Sequence, residues 1–135
     1  MKSILVVEGT NNKNNGNLRK GFSKLLNKII PSKTPKIIMG EDWASAIKKF
    51  NQHRVRAEKV ALLIDSDAPK ESLERVIQER NIAEIQDNVF FMIRNMEAWI
   101  LSQIDKLPIY YKDIKNLNKK IPKKCPVCGA TPENF

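Results

Sequence analysis

Three acidic residues, each placed where an apolar run ends, are best suited to chemistry in this chain. Glu8 follows the apolar run at residues 3–7, and Asp65 and Asp67 follow a second run at residues 60–64. Parallel strands that end on carboxylates bring those groups to one edge of an open sheet. Such carboxylates repel one another unless a cation lies among them, and Mg²⁺ takes oxygen ligands while keeping waters for a phosphate substrate. The pattern favours a metal-dependent enzyme that acts on phosphodiesters.

Alternating strand and helix patterns would position these acids. Apolar runs predict strands at residues 3–8, 36–39, 60–64 and 89–93. Apolar stripes at helical spacing predict a helix after each strand, and these stripes comprise Leu18, Phe22, Leu25, Leu26, Ile29 and Ile30; Trp43, Ile47 and Phe50; Leu73, Val76 and Ile77; and Met96, Trp99, Ile100, Ile104 and Leu107. We expect Pro69 to be the first residue of the third helix and Asn95 to cap the fourth.

The order of these elements predicts the fold class. Strands that alternate with helices form a parallel, doubly wound sheet. The expected fold is therefore α/β and Rossmann-like, with three layers and a mostly parallel four-stranded sheet. The first and third strands should be neighbours, because Glu8 must come near Asp65 if the two carboxylates act together.

Charge is unevenly distributed along the 135 residues, which carry a formal net charge of +9. Residues 13–36 hold seven Lys/Arg and no acid, and residues 106–124 hold seven Lys and one acid, Asp113. Such basic arms attract phosphate backbones, although a solvated lysine-rich surface is the alternative. No apolar run approaches the roughly 20 residues that span a bilayer, and the N-terminus lacks a signal-peptide pattern. We expect a cytoplasmic protein with no membrane partner.

The strand-end acids resemble the signature of Toprim domains, which occur in topoisomerases, bacterial primases and overcoming-lysogenization-type nucleases. Glu8-Gly9 matches the glutamate that ends the first strand, and Asp65-Ser66-Asp67 matches the Asp-x-Asp that ends the third. The resemblance implies that Glu8 is the general acid/base and that Asp65 and Asp67 hold Mg²⁺ or Mn²⁺. Glu8 could also share a second metal ion.

A narrower resemblance covers roughly residues 1–124. It rests on Glu8-Gly9, Arg19-Lys20-Gly21-Phe22, the segment Pro35–Gly40, Leu62–Asp67 and Met96-Glu97-Ala98-Trp99. These pieces resemble a Toprim-like bacterial family of unassigned function whose genes often lie beside ATPases in phage-defence islands. The resemblance implies an ATPase partner and makes Glu97 a candidate fourth acid. It also implies a Toprim-like domain at 1–108 and a lysine-rich, helical extension at 109–135.

Several basic residues are candidates for binding nucleic acid, either DNA or RNA. Arg19, Lys20 and Lys24 could hold a phosphate or an approaching strand, or they could form a solvated helix face. Arg94 could stabilise developing phosphate charge, or it could pair with Glu97. The lysines of the extension complete the set: Lys119, Lys120, Lys123 and Lys124.

Both cysteines lie in the segment Cys125-Pro126-Val127-Cys128-Gly129. Cys-Pro-x-Cys-Gly forms a knuckle turn that supplies two zinc ligands, whereas structural zinc takes four. One interpretation is therefore a Zn²⁺ ion shared by two chains of a homodimer. A vestigial or truncated half-site and a redox pair are the alternatives.

The acids also have structural interpretations. Glu8 could be a strand-end charge, Asp65 and Asp67 could form a turn and a helix cap, and Glu97 could complement a helix dipole. Two functions remain: a Mg²⁺- or Mn²⁺-dependent nuclease, and a catalytically silent subunit that binds nucleic acid or an ATPase. A receiver-like phosphoacceptor domain is disfavoured, because no fifth strand–helix unit with a terminal lysine is found.

Overall fold

The computed structural model describes residues 3–10, 18–57, 59–96 and 98. Within this part of the chain the strands are β1 (Ser3–Val7), β2 (Lys36–Met39), β3 (Lys59–Asp65) and β4 (Val89–Met92). The helices are α1 (Leu18–Ile29), α2 (Trp43–Arg54) and α3 (Leu73–Glu79), and two 3₁₀ turns occupy Lys70–Ser72 and Ala83–Asn88. Strands and helices therefore alternate in the predicted order.

The four strands form one parallel sheet in the order β2-β1-β3-β4. The first strand pairs in parallel with both β2 and β3, and Val7 lies opposite Met39 on one side and Leu63 on the other. The α/β class, the parallel four-stranded sheet and the adjacency of the first and third strands are thus confirmed.

The described residues divide into two compact units. The first takes its residues from Met1–Ile64 and Ile77–Phe91, and the second takes its residues from Asp65–Val76 and Met92–Phe135. Most of the sheet belongs to the first unit. The turn that follows β3 and the segment that follows β4 belong to the second.

The core of the first unit lies against one face of β1 and β3. Residues that are register partners in parallel strands point to the same face, so Ile4 and Val6 share a face with their partners in β3. The buried cluster on this face contains Ile4, Val6, Ala46, Phe50, Val60, Leu62, Ile64, Ile82, Ile85 and Val89. Val7 points to the opposite face and is also fully buried. Burial on both faces explains why β1 is a continuous apolar run.

The helix α1 is buried along less of its length than its apolar stripe predicts. It packs beside β2, and Phe22 is buried. Ile29 at its end is 63% exposed, and Ile30 just beyond is 39% exposed. Ile29 and Ile30 therefore lie on the apolar stripe but outside the part of it that is buried.

The third helix begins later than predicted. Pro69 has an extended backbone, with φ −67° and ψ 162°, and its carbonyl oxygen accepts a hydrogen bond from the amide of Ser72 at 2.9 Å. The chain therefore passes through a 3₁₀ turn before α3 starts at Leu73, and Pro69 precedes this turn instead of opening a helix.

The predicted cap of the fourth helix is confirmed. The Oδ1 atom of Asn95 accepts a hydrogen bond from the amide of Ala98 at 2.8 Å, the bond by which an N-cap side chain satisfies an unpaired helix amide. Met96 and Ala98 are helical, and the other residues predicted to form this helix lie outside the described residues. Among the described residues, no helix is both long enough and apolar enough to cross a membrane.

Candidate functional site

Glu8 is anchored through its backbone at the carboxyl end of β1. Its amide donates a hydrogen bond to the carbonyl oxygen of Leu63 at 2.8 Å, so the pairing of β1 with β3 continues one residue beyond β1. On the other side, the amide of Gly40 donates to the carbonyl oxygen of Val7 at 2.6 Å. Glu8 is half-buried and makes further interactions of its own. The neighbouring backbone therefore has little freedom to move.

The backbone conformation of residue 9 explains why a glycine follows Glu8. Its φ is 140°, a backbone conformation that L side chains rarely adopt. In that conformation Gly9 exchanges two hydrogen bonds with Glu41: the Gly9 amide donates at 2.8 Å, and the Glu41 amide donates back at 2.9 Å. Glu41 itself has a positive φ of 69°. The glycine after Glu8 is therefore a structural requirement of this turn.

The two aspartates lie in and just after β3. Asp65 is the last residue of the strand and is half-buried, whereas Asp67 is exposed and has a φ of 52°. Among the described residues, the Oδ1 atom of Asp65 is buried and accepts no hydrogen bond, although the residue takes part in other interactions. The two carboxylates therefore differ in exposure.

A ladder of backbone hydrogen bonds connects the segment after β3 with the segment after β4. The amide of Ser66 donates to the carbonyl oxygen of Met92 at 3.1 Å, and the amide of Asp67 donates to that of Arg94 at 2.7 Å. The amide of Arg94 donates in return to Ala68 at 3.3 Å. The structure thus bonds the predicted residues Asp67 and Arg94 directly to each other within the second unit, and Asp65 precedes the bonded segment by one residue.

Arg94 occupies a different position from the one predicted. The fourth strand was expected to extend to residue 93, whereas β4 ends at Met92 and Arg94 lies two residues beyond it. Its φ is 67°, in the left-handed region. A residue other than glycine in this region costs on the order of 1–3 kcal/mol and persists where its surroundings fix it. Asp67 and Arg94 share this strain and bond directly to each other.

The carboxylates have the chemistry that a hard divalent cation requires. Mg²⁺ commonly binds through one or two carboxylates and fills its other positions with water and substrate phosphate. Asp65 and Asp67, separated by one residue in a turn, can supply such a pair. Among the described residues, no cluster of three or more His, Cys, Asp or Glu side chains has a metal-binding arrangement. A pair of carboxylates would leave the other positions of such an ion to water and substrate oxygens.

Three of the basic candidates that the structure describes lie on α1, whereas Arg94 follows β4. Arg19, Lys20 and Lys24 are exposed, and so is Lys28 in the last turn. The first turn of α1 contains no acid. Cations there oppose the positive end of the helix dipole. The charge of the first turn of α1 is therefore unfavourable for the helix and favourable for an anion.

The other predicted site residues lie outside the described part of the chain. They are Glu97, Lys119, Lys120, Lys123, Lys124, Cys125 and Cys128. Their roles stay predictions.

Three residues at this edge of the sheet were missed by the sequence analysis. Ser66 is 1% exposed and bonds to the segment after β4 through its hydroxyl group. Glu41 forms the bridge to Gly9, and Asp42 caps α2 by accepting a hydrogen bond from the amide of Ser45 at 2.7 Å. Only the cap had a visible signal, since an aspartate directly before the first apolar residue of a helical stripe, here Trp43, is a common N-cap pattern.

A cavity of about 200 Å³ lies elsewhere in the first unit. Arg54, Val60 and Asn88 are among its lining residues, and the side-chain amide of Asn88 donates to the carbonyl oxygen of Val60 at 3.1 Å. Val60 is near the start of β3, whereas the acids are near strand ends. None of Glu8, Asp65 and Asp67 lines this cavity.

Comparisons with known proteins give one match. Residues 7–134 match a protein family described as "Domain of unknown function (DUF4276)". Searches of curated proteins and of solved structures found no match. Because the match covers nearly the whole sequence, from the end of β1 to the last residues, the chain belongs to the DUF4276 family.

Proposed function

We propose that this protein is a metal-dependent phosphodiesterase of the Toprim type, acting as a nuclease. One observation carries the proposal: the Asp65–Asp67 segment ends β3 and is bonded through its backbone to Arg94. The neighbouring parallel strand β1 is followed by Glu8. In open α/β sheets, ligands bind outside the carboxyl ends of the strands. That each of these acids ends or follows a parallel strand supports the proposal.

Each residue has a distinct role in this proposal. Asp65 and Asp67 would hold Mg²⁺ or Mn²⁺, and the bound ion supplies charge neutralisation at the scissile phosphate and a more acidic water. Glu8 accepts or returns the proton of the attacking or leaving oxygen, and its anchored backbone restricts where its carboxylate can reach. Arg94 contributes positive charge to the phosphoryl oxygens as their charge develops.

The charge of α1 supports a polyanionic substrate. Its first turn carries Arg19 and Lys20 without any acid, and Lys24 follows one turn later on the exposed surface. Each cation near a helix N-terminus typically costs about 0.3–1 kcal/mol of helix stability. A phosphate backbone would offset this cost, and the binding would weaken as salt increases.

The resemblance adds expectations about the protein's setting. It supports an effector role in phage defence, beside an ATPase partner and in the cytoplasm. The cysteine pair supports a Zn²⁺ ion held between Cys125 and Cys128 of two chains. These four points rest on the sequence alone.

The basic surface of α1 also favours a second function of a different class. A catalytically silent subunit that binds nucleic acid or an ATPase would use the same basic surface. The two functions differ in whether the carboxylates are needed for binding, since a silent subunit binds its target without Asp65.

A cleavage assay distinguishes the two functions. Purified protein is incubated with end-labelled single- and double-stranded DNA and with RNA, in Mg²⁺, in Mn²⁺ and in EDTA. We expect cleavage only with metal, and a loss of about 100-fold or more in Glu8→Gln and in Asp65→Asn. Glu74→Gln, an equal charge change at an exposed position of α3, is the control. Cleavage that survives both test substitutions contradicts the mechanism, and binding without cleavage supports the silent subunit.

A further inference from the structure

Ser66 is the buried polar residue at the centre of the Asp65–Asp67 segment. Its side chain is 1% exposed. The hydroxyl group donates a hydrogen bond to the carbonyl oxygen of Ala68 at 2.6 Å and accepts one from the amide of Arg94 at 2.8 Å. A serine hydroxyl has one donor and two acceptor positions. Ser66 therefore connects its own turn to the segment after β4 through one oxygen atom.

The backbone amide of Arg94 has two acceptors, and the Ser66 hydroxyl is the nearer one. The same amide also lies 3.3 Å from the carbonyl oxygen of Ala68, which is at the long end of hydrogen-bond distances. Without the hydroxyl, the Arg94 amide would retain only this longer bond. The Ala68 carbonyl would also lose its 2.6 Å donor. One side-chain oxygen thus determines hydrogen bonding on both segments.

The two residues that this oxygen helps to hold are strained. Asp67 and Arg94 have φ values of 52° and 67°, and the amide of Asp67 donates to the carbonyl oxygen of Arg94 at 2.7 Å. Left-handed backbone at residues other than glycine relaxes when the bonds around it are removed. The directions of the Asp67 carboxylate and the Arg94 side chain therefore depend on the Ser66 hydroxyl.

We propose that Ser66 is a positioning residue that fixes the Asp65–Asp67 turn against Arg94 in the geometry that divalent-cation binding requires. This inference rests on the proposed function, because it assigns Ser66 to the same site. Ser66 acts through backbone hydrogen bonds and makes no contact with substrate. Groups that orient metal ligands in this way typically change metal affinity by about 10–100-fold when they are removed.

The substitutions are chosen to separate positioning from stability. Ser66→Ala removes the hydroxyl, and Ser66→Cys fills the same space with a much weaker hydrogen-bonding group. Val76→Ala is the matched control, because Val76 is 4% exposed in α3 of the same unit and its truncation destabilises by loss of packing. If Ser66→Ala does not fold, Ser66→Cys carries the test.

The readout is Mn²⁺ binding without substrate, followed by the electron paramagnetic resonance signal of the free ion. We expect Ser66→Ala and Ser66→Cys to bind Mn²⁺ at least about 10-fold more weakly than the wild type, and Val76→Ala to bind within about 3-fold of it. Hydrogen exchange of the Arg94 amide should become faster in the Ser66 variants and stay unchanged in Val76→Ala. Both measurements are made well below the melting temperature of every variant.

The outcomes distinguish this inference from the proposed function. If both Ser66 variants bind Mn²⁺ as tightly as the wild type does, the role of Ser66 is overturned and the proposed function stands. Wild-type protein that binds no Mn²⁺ would overturn both. Weaker binding in Val76→Ala, equal to that in Ser66→Ala, would show that general stability is the cause and would also overturn the role of Ser66.

Discussion

The amide of Glu8 donates a hydrogen bond to the carbonyl oxygen of Leu63 at 2.8 Å. This bond continues the pairing of β1 with β3 past the last residue of β1, and it fixes the position along the sheet from which the Glu8 side chain departs. The carboxylate proposed as general acid/base is therefore carried by sheet backbone instead of by a mobile loop.

Gly9→Ala should disturb the turn that follows Glu8. The φ of 140° at this position is strongly disfavoured for alanine, so we expect the free energy of unfolding to fall by about 1–3 kcal/mol. Cleavage activity should fall further than this loss of stability explains, because the turn carries Glu8. Urea denaturation and cleavage assays on the same samples measure the two effects. Unchanged stability would show that the turn tolerates a side chain.

Gly40→Ala should destabilise the fold by steric overlap. A Cβ atom at this buried position would lie 2.5 Å from the Cβ of Ala46 and 2.8 Å from its Cα, and overpacking of this kind typically costs about 1–3 kcal/mol. Gly21→Ala is the control, since a Cβ there meets nothing within 4 Å and alanine in an exposed helix gains about 0.5–1 kcal/mol. Thermal unfolding should therefore shift in opposite directions, and a shift in the same direction would contradict this packing.

Asp42 should make the stability of the protein depend on acidic pH. A hydrogen bond from the backbone amide of Ser45, followed by one from the Ser45 side chain, lowers the pKa of Asp42 below its ordinary value of 3.8. A lowered pKa in the folded state means that the stabilising contribution is present above pH 3.8 and is lost as pH falls through the folded-state pKa.

The test of that contribution compares two substitutions at two pH values. Asp42→Ala should lower the urea midpoint at pH 7, and its difference from the wild type should shrink towards pH 2.5. Asp42→Asn can still cap the helix, so it should lose less stability at pH 7 and show no titration of its own. If Asp42→Ala lowers the urea midpoint equally at both pH values, the ionised carboxylate contributes nothing to stability.

Lys24→Gln should weaken the binding of nucleic acid in a salt-dependent way. One lost phosphate contact should reduce the slope of log K against log salt concentration by about 0.7 for single strands and about 0.9 for duplex DNA. Lys48→Gln on the exposed surface of α2 changes the net charge equally and is the control. Fluorescence anisotropy at several salt concentrations measures both slopes. Identical slopes for the two variants would place α1 outside the binding surface.

Local patterns were enough to predict the sheet. Continuous apolar runs predicted all four strands to within one or two residues, because the apolar residues of β1 and β3 are buried on one face and buried or half-buried on the other. The parallel order followed from the intervening helices. The end of the α1 stripe was predicted less well, since spacing identifies a helix face without revealing how far its packing partner extends.

The site was predictable only in part. Glu8, Asp65 and Asp67 were visible because they follow strands, but the bonds that hold them join residues far apart in sequence. The Ser66 hydroxyl bonds to an amide 28 residues away, and Gly9 bonds to Glu41 across the turn after β2. Such long-range hydrogen bonds have no local pattern. The positive φ values of Glu41, Asp67 and Arg94 could not be predicted either, because the type of residue at these positions does not by itself identify left-handed backbone.

Anomalous diffraction from a crystal soaked in Mn²⁺ shows directly whether Asp65 and Asp67 bind a divalent cation. We expect an anomalous peak within about 2.0–2.6 Å of a carboxylate oxygen of Asp65 or Asp67, and we expect the peak to disappear in Asp65→Asn crystals grown in the same form. A fully occupied Mn²⁺ site elsewhere in the molecule, with no peak at these aspartates, would contradict the claim that they bind the catalytic metal.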